Sequence, residues 1–568
     1  MKNRTKAIAY IGLLTLVGQL SIACDAPPLE SGQSTGDRAF SEKRVTPSEE
    51  SRSRTAEQLT NTAIAPSTRS SSEIVNISPR PASPTRASRQ VDPLLEEENA
   101  ETYDRIEETG FKRATNAPFS TFSIDVDTAS YSNVRRFINN GQTPPKDAVR
   151  IEELINYFNY EYPQPRENEP FSIATEVSRS PWNPQHQLVH IGIQGKKIAT
   201  EDLPPSNLVF LIDVSGSMTA NNKLPLLKSA FKLLVGEMRP EDTVSIVVYA
   251  GAAGIVLPPT FGDRKDVILT AIDRLAAGGS TAGGEGIKLA YKLVKENFKR
   301  SGNNRVILAT DGDFNVGISS DTELVQLIEE KRKDNIFLTV LGVGMGNLQD
   351  SKMEKLADKG NGNYAYIDNE LEAKKVLVKE MGGTLLTIAK DVKIQVDFNP
   401  AKVKAYRLIG YENRRLKDED FNDDTKDAGE LGAGHTVTAL YEIVPVGAET
   451  NINLPDIDAS KYQQSEATNS NELMEVKLRY KQPDGDTSQL IAYPVSDVKK
   501  PFNATSANFK FSAAVASFGM VLRDSPYKGQ ASFAGVLELA KESQGVDLEG
   551  YRAEFIRLVQ ASQKLAKK

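Results

Sequence analysis

The rhythm of hydrophobic and polar positions changes several times along this chain. An uncharged apolar run, Ala7 to Ala23, follows a short basic start. Across residues 24–95 apolar positions are sparse and aperiodic, as in SPRPASPTRASRQ (Ser78–Gln90). Such a stretch buries too little surface to offset its ordering entropy and is expected to be a disordered Ser/Thr/Pro-rich tether. Residues 96–170 are expected to form an N-terminal α/β segment. Thr121–Gly141 predicts a short strand, a turn and a helix, with Asp127 or Thr128 as N-cap and Gly141 at the end. In Val149–Pro163, Ile151, Leu154, Ile155 and Phe158 share one helical face, which stops before Pro163.

From Phe171 the period becomes two. Phe171, Ile173, Thr175 and Val177 alternate with Ser172, Ala174, Glu176 and Ser178, and Leu188–Ile193 predicts a second strand. His186 and His190 are expected on the strand surface, and Trp182 in the core or at a rim. Between 207 and 390, continuous apolar runs alternate with helical stretches. The runs are NLVFLID (Asn207–Asp213), TVSIVVYA (Thr243–Ala250), RVILATDG (Arg305–Gly312) and IFLTVLGVG (Ile336–Gly344). Helices are expected over Leu224–Met238, Asp266–Leu275, Gly286–Phe298 and Thr322–Lys333. Unalternating strands separated by helices predict an α/β fold, a doubly wound, mostly parallel sheet covered on both faces. GIVLPPTF (Gly254–Phe261) fits an antiparallel edge strand, where its prolines are tolerated. Residues 391–507 read as β-rich again and 508–568 as helical. Domain termini tend to lie close together. The β-rich segments 171–206 and 391–507 are therefore expected to form one split β-sandwich with the α/β unit inserted, the alternative being two small domains.

Composition narrows the function classes. The 568 residues carry 69 Lys+Arg against 76 Asp+Glu, a net charge of −7, which gives no general drive toward nucleic acid. One Cys excludes an internal disulfide, a Cys-based zinc site and a CxxC pair, and three His leave little imidazole chemistry. That Cys is Cys24, directly after the apolar run. The run is marginal for a spanning helix and suits a secretory signal. Ala23-Cys24 at its end resembles the bacterial lipobox, with Ser21 where Leu is commonest. The resemblance implies a signal peptide over 1–23, a diacylated Cys24 and a lipid-anchored protein in the cell envelope facing outside the cytoplasm. Asp25 resembles an inner-membrane retention signal. An ordinary cleaved signal peptide and an uncleaved anchor are the other readings.

Candidate chemistry gathers at strand ends. Asn207–Asp213 runs into Asp213-Val214-Ser215-Gly216-Ser217-Met218. One carboxylate and two hydroxyls on a tight loop lie where open α/β sheets bind ligands. They form an all-oxygen set suited to a hard dication; a helix N-cap cluster is the alternative. Thr281 falls in a glycine-rich loop opening a helix, and Asp311 ends another buried strand. In a doubly wound sheet the three loops crowd one edge.

Over roughly Asn207 to Ala389 the chain resembles the von Willebrand factor type A domain. Asp213, Ser215, Ser217, Thr281 and Asp311 match all five positions of that domain's metal-ion-dependent adhesion site. The resemblance implies direct metal binding by Ser215, Ser217 and Thr281, and direct or water-mediated binding by Asp213 and Asp311. The metal would be Mg²⁺ or another dication such as Mn²⁺ or Ca²⁺, with one coordination position left for an acidic residue of a protein partner. Thr121–Gly141 with Val149–Pro163, and the region after Asp391, resemble the flanking regions of a bacterial family of von Willebrand A-domain lipoproteins. The function so implied is a non-enzymatic, membrane-anchored binding protein. Its rivals are a scaffold acting through the β-rich and C-terminal regions, and a metal-dependent hydrolase, for which no general base is evident. Ser215 lacks a GxSxG elbow, and Gly278–Gly286 lacks the Lys-Ser/Thr of a phosphate loop. Asp125 and Asp127 are either a further ligand pair or a cap with a solvated carboxylate.

Overall fold

A computed structural model of the chain describes residues 100–124, 127–278, 283–312, 321–380, 386–450, 452, 454, 470–498 and 500–567. Cys24, Asp125 and Thr281, like the signal and tether segments, lie outside the described residues.

The central sheet has six strands in the order Tyr364–Ile367, Phe337–Val343, Asn303–Thr310, Ser206–Asp213, Thr243–Tyr249, Ala253–Phe261. All neighbours are parallel except the last pair, so the proline-bearing strand Ala253–Phe261 is an antiparallel edge. The strands read as unbroken apolar runs because both faces are covered. Leu208, Phe210 and Ile212 pack with Leu227, Phe231, Ile268 and Ile272 from the helices Leu224–Glu237 and Lys265–Asp273. Val209 and Leu211 pack on the opposite face with Ile287, Leu324, Ile328 and Leu356 from the helices at 283–296, 321–333 and 350–359.

Beside this layer stands a sandwich of two sheets. One runs Lys112–Arg113, Val403–Ile409, Thr436–Pro445, Gln187–Gly195, Phe171–Arg179, all antiparallel. In the other, Thr387–Phe398 pairs with Gly429–Gly432 and Phe119–Ser123 along successive stretches and with Glu472–Lys481, which pairs with Ser488–Ser496. Val189, Ile191, Tyr406 and Tyr441 meet Ile394, Val396, Val476 and Leu478 between the sheets. Strand Gln187–Gly195 pairs with Thr436–Pro445 from His190↔Leu440 outward and with no strand of the central sheet. One sheet is thus built from chain on both sides of the α/β unit.

The third body is helical. Ala507–Arg523, Phe533–Glu542 and Tyr551–Leu565 pack with Ala129–Asn139 and Ile151–Asn156 around Tyr131, Phe158, Phe511, Phe518 and Phe555. The N-terminal segment therefore does not stand alone: its helices complete the C-terminal bundle and its strand joins the sandwich. Gly519 permits the close crossing, since a Cβ there would sit 2.9 Å from Ile151 Cγ1.

Three local expectations are corrected or refined. The helix expected over Val149–Pro163 spans only Ile151–Asn156, because Tyr157, Phe158, Tyr160 and Tyr162 turn into the core and Tyr160 Oη donates to the Ile155 carbonyl at 3.0 Å. Thr128 is the N-cap of the helix Ala129–Asn139, as expected, but its side chain makes no capping bond; Glu153 accepts from the Ser130 amide at 2.8 Å instead. His186, in the turn before the strand Gln187–Gly195, and His190, within it, are buried rather than on a strand surface, since neighbouring chain covers both. His186 Nδ1 meets Glu442 at 2.5 Å, and His190 Nε2 meets Tyr162 Oη at 3.0 Å. Trp182 is buried in the core. No described helix is long and apolar enough to cross a membrane.

Candidate metal centre

Strand Ser206–Asp213 lies in the middle of the central sheet, parallel to both neighbours, so the carboxyl ends of three strands open onto one edge. Asp213 is fully buried at that edge. Its Oδ1 accepts from the Ser215 amide at 2.8 Å, which closes the turn, and its Oδ2 accepts from Thr310 Oγ1 at 3.3 Å. Ser215 and Ser217 place their hydroxyl oxygens 3.0 Å apart. Asp311, also fully buried, accepts from Lys223 Nζ at 2.8 Å through Oδ2, while its Oδ1 has no hydrogen-bond partner among the described residues.

The two carboxyls are driven apart in acidity. Burial raises Asp213 above its ordinary pKa and the Asp311 charge adds to this, against hydrogen bonds from Ser215 and Tyr249. Burial works to raise Asp311 as well, but Lys223, through its hydrogen bond and charge, together with hydrogen bonding from Ser217 and Asn347, overrides it and holds that carboxyl below the usual range. Two close carboxylates, two convergent hydroxyls and a buried, unpartnered carboxylate oxygen suit a hard dication taking oxygen ligands. Asp213, Ser215, Ser217 and Asp311 would hold it, with Thr281 the fifth residue assigned from the sequence.

Asp127 belongs to a different arrangement. Asp127, Glu153 and Glu354 each bring a carboxylate oxygen within 4.8 Å of the others. Arginines fill this cluster: Arg414 reaches Asp127 at 3.0 Å and Glu354 at 3.2 Å, and Arg150 pairs with Glu153 and Asp350. Each of these carboxylates is paired with a guanidinium, so Asp127 takes part in an ion network joining the N-terminal segment, the sandwich and the helix Asp350–Lys359.

Sequence reasoning missed Lys223, Thr310, Tyr249 and Asn347. Thr310 was adjacent to a recognised residue; Lys223 stood at the start of an expected helix, where nothing local marks it. Lys223 Nζ also donates to Asn347 Oδ1 at 3.2 Å. The loop Gly344–Gln349 presses on the site, since a Cβ on Gly312 would lie 2.6 Å from the Asn347 carbonyl oxygen. An N-terminal strap grips this loop from outside. The Ala100 and Thr102 amides donate to the Gly346 and Leu348 carbonyls at 2.8 and 3.0 Å, and the Gly346 amide donates to Glu101 at 2.9 Å. Arg136 fixes Glu101 through two 2.8 Å bonds. Neither His186 nor His190 is bonded to Ser215, whose hydroxyl partner is Ser217.

Comparison with known proteins agrees with this architecture. The von Willebrand factor type A domain family matches residues 207–380, and a von Willebrand factor family matches residues 97–190. A third family, described as Uncharacterized protein YfbK, C-terminal, matches residues 383–565. Uncharacterized protein YfbK of Escherichia coli (strain K12) is 44% identical over 469 residues, covering 81% of this chain and 80% of its own length. Inter-alpha-trypsin inhibitor heavy chain H3 of Homo sapiens is 25% identical over 303 residues, 49% of this chain and 33% of that protein. Among solved structures, von Willebrand factor type A from Catenulispora acidiphila aligns with 15% identity and a TM-score of 0.37 over 67% of this chain and 88% of that one. Domains of the type matched at 207–380 commonly bind a divalent metal. On the extent of its match to YfbK, the chain belongs to that family of von Willebrand factor type A domain proteins.

Proposed function

We propose that this protein is a lipid-anchored binding protein of the cell envelope, held at the membrane by an acylated Cys24 and facing outside the cytoplasm. It uses a divalent metal, Mg²⁺ or a similar ion, at Asp213, Ser215, Ser217, Thr281 and Asp311 to capture an exposed Asp or Glu of a protein partner. Asp311 Oδ1 carries this reading. A buried carboxylate oxygen without a partner among the described residues is costly, and a bound dication would satisfy it. The surroundings favour binding over turnover: Ser215 contacts Ser217 rather than a base, and Asp311 is tied to Lys223. The test is capture from bacterial membranes with and without EDTA, comparing wild type with Asp311→Ala. Capture should be lost in both EDTA and the variant while circular dichroism stays native; capture unchanged in EDTA would refute the reading.

One observation favours a scaffold role as a second reading. Val546 and Leu548 are 81% and 92% exposed on the loop before the last helix. Asp547 holds that loop by accepting from the Arg552 and Ala553 amides, and Glu549 pairs with Lys379 at 3.0 Å. Two large apolar side chains held out by a braced loop suit a contact surface. Val546→Ser with Leu548→Ser should then weaken a metal-independent association, read by capture in EDTA.

A further inference from the structure

Lys223 stands at the candidate metal centre, bonded to Asp311, although no metal chemistry requires it. It is not a surface lysine resting by chance on an acid. It is 7% exposed, and its stem lies along Gly344, whose hypothetical Cβ would stand 2.3 Å from Lys223 Cε. It occupies the N-cap of the fourteen-residue helix Leu224–Glu237 without making a side-chain cap. That is the positive end of the helix dipole, where a cation is disfavoured. What offsets this is Asp311, whose Oδ2 Lys223 takes at 2.8 Å, leaving Oδ1 for another cation.

We propose that Lys223 is a built-in competitor for the metal, which makes metal retention depend on the acidic ligand. The inference rests on the metal-dependent binding reading above. The argument is one of charge. Asp213 and Asp311 together neutralise one dication. With the Lys223 ammonium beside them, the loaded site carries a net positive charge, and an incoming carboxylate brings it back to neutral. Without Lys223 the metal alone would neutralise the site, and a carboxylate ligand would make it negative. In a buried, low-dielectric setting such differences are large. Lys223 therefore weakens the metal by itself and strengthens the carboxylate on the metal. By linkage, the carboxylate strengthens the metal by the same factor. Asp311 divides its two oxygens between the fixed cation and the exchangeable one.

Titration calorimetry on the full-length protein tests this with Mn²⁺ as probe, alone and with acetate present. Lys223→Met should bind Mn²⁺ at least about tenfold more tightly than wild type, the smallest effect expected of a full charge so near a dication. Acetate should tighten Mn²⁺ on wild type more than on the variant. Lys223→Arg should behave as wild type. If Lys223→Met is too unstable to purify without metal, Lys223→Gln serves, and the rise in melting temperature on adding Mn²⁺ should exceed that of wild type. A purely structural lysine predicts the opposite sign: Mn²⁺ affinity unchanged or reduced in Lys223→Met overturns the proposal while leaving the metal site standing. No Mn²⁺ binding by wild type or either variant overturns the metal reading and this inference with it.

Discussion

Replacing Arg414 by Ala tests what locks the inserted α/β unit onto its scaffold. Arg414 is 8% exposed and pairs with Asp127 and Glu354 at 3.0 and 3.2 Å and with Asp358. Glu354 and Asp358 belong to the helix Asp350–Lys359 of the α/β unit, Arg414 to the chain after the strand Val403–Ile409. Removing one partner of a buried pair leaves the other charge without compensation, at about 3–5 kcal/mol. The lower end applies here. Glu354 keeps Arg150 at 3.7 Å, Asp127 keeps the Tyr364 amide at 2.7 Å, and Asp358 is the most open of the three. About 3 kcal/mol lost from a cooperative unit of this size lowers the melting temperature by roughly 3 °C. The loss has a pH signature. Burial already raises Glu354, against the pull of Arg150 and Arg414, and removing Arg414 raises it further. A carboxyl raised in the folded state favours folding at low pH and loses that contribution as pH rises through its folded value. Urea denaturation should therefore show the variant's deficit shrinking as pH falls, and Asp127→Asn in the same background should recover part of it. A deficit below about 0.5 kcal/mol, the size of an ordinary surface substitution, or one that does not change with pH, would refute this account of the junction.

Two further outcomes follow from single groups. His190 is held neutral, its pKa pushed down to about 4 by burial, against about 6.5 when unfolded. The unfolded chain takes the proton more readily, so stability present above pH 6.5 falls by about 2 kcal/mol by pH 5; His190→Gln should flatten that slope in denaturant titrations. Gly312→Ala forces a side chain onto a residue with φ of +112° and against the Asn347 carbonyl, so it should displace the loop Gly344–Gln349 at a cost of about 1–3 kcal/mol. The same variant should weaken Mn²⁺ binding by calorimetry, whereas Gly236→Ala, with open space around it, should leave both unchanged.

What the sequence revealed followed from how local each signal was. Strands of the central sheet are covered on both faces, so their apolar runs stood out, and Asp213, Ser215 and Ser217 lie within one turn. The prolines of Ala253–Phe261 marked an edge. The split sandwich was legible only as an expectation from two β-rich segments, because the pairing of Leu188 with Glu442 is set by packing and not by any pattern near either residue. His186 and His190 misled for the same reason: an alternating strand was assumed to have a wet face, and neighbours from distant chain cover it. Lys223 was invisible because its meaning depends on Asp311, eighty-eight residues away. The arginines of the junction, Arg135, Arg150 and Arg414, look in sequence like solvated charges, and only the fold shows that each meets carboxylates across a boundary.

Those arginines also decide what a truncation can test. A chain ending at Ala389 would lack the strands Val403–Ile409, Thr436–Pro445 and Glu472–Lys481 and all three C-terminal helices. Val189, Ile191, Phe158 and Tyr131 would lose their packing partners, so lost binding would report unfolding and say nothing of which surface makes the contact. The reciprocal deletion, replacing residues 207–380 with a short linker, removes no sandwich strand and no helix of the C-terminal bundle. It should nevertheless fail, because it takes away Asp350 from Arg150, Glu354 and Asp358 from Arg414, and Asp368 and Glu372 from Arg135. Three guanidiniums would lose much of their compensation, at several kcal/mol in total. Replacing Arg135, Arg150 and Arg414 by Met or Gln within the deletion should restore a cooperative unfolding transition by circular dichroism. If the plain deletion already unfolds cooperatively at wild-type denaturant concentrations, the ion networks are not what couples the metal-bearing unit to its scaffold.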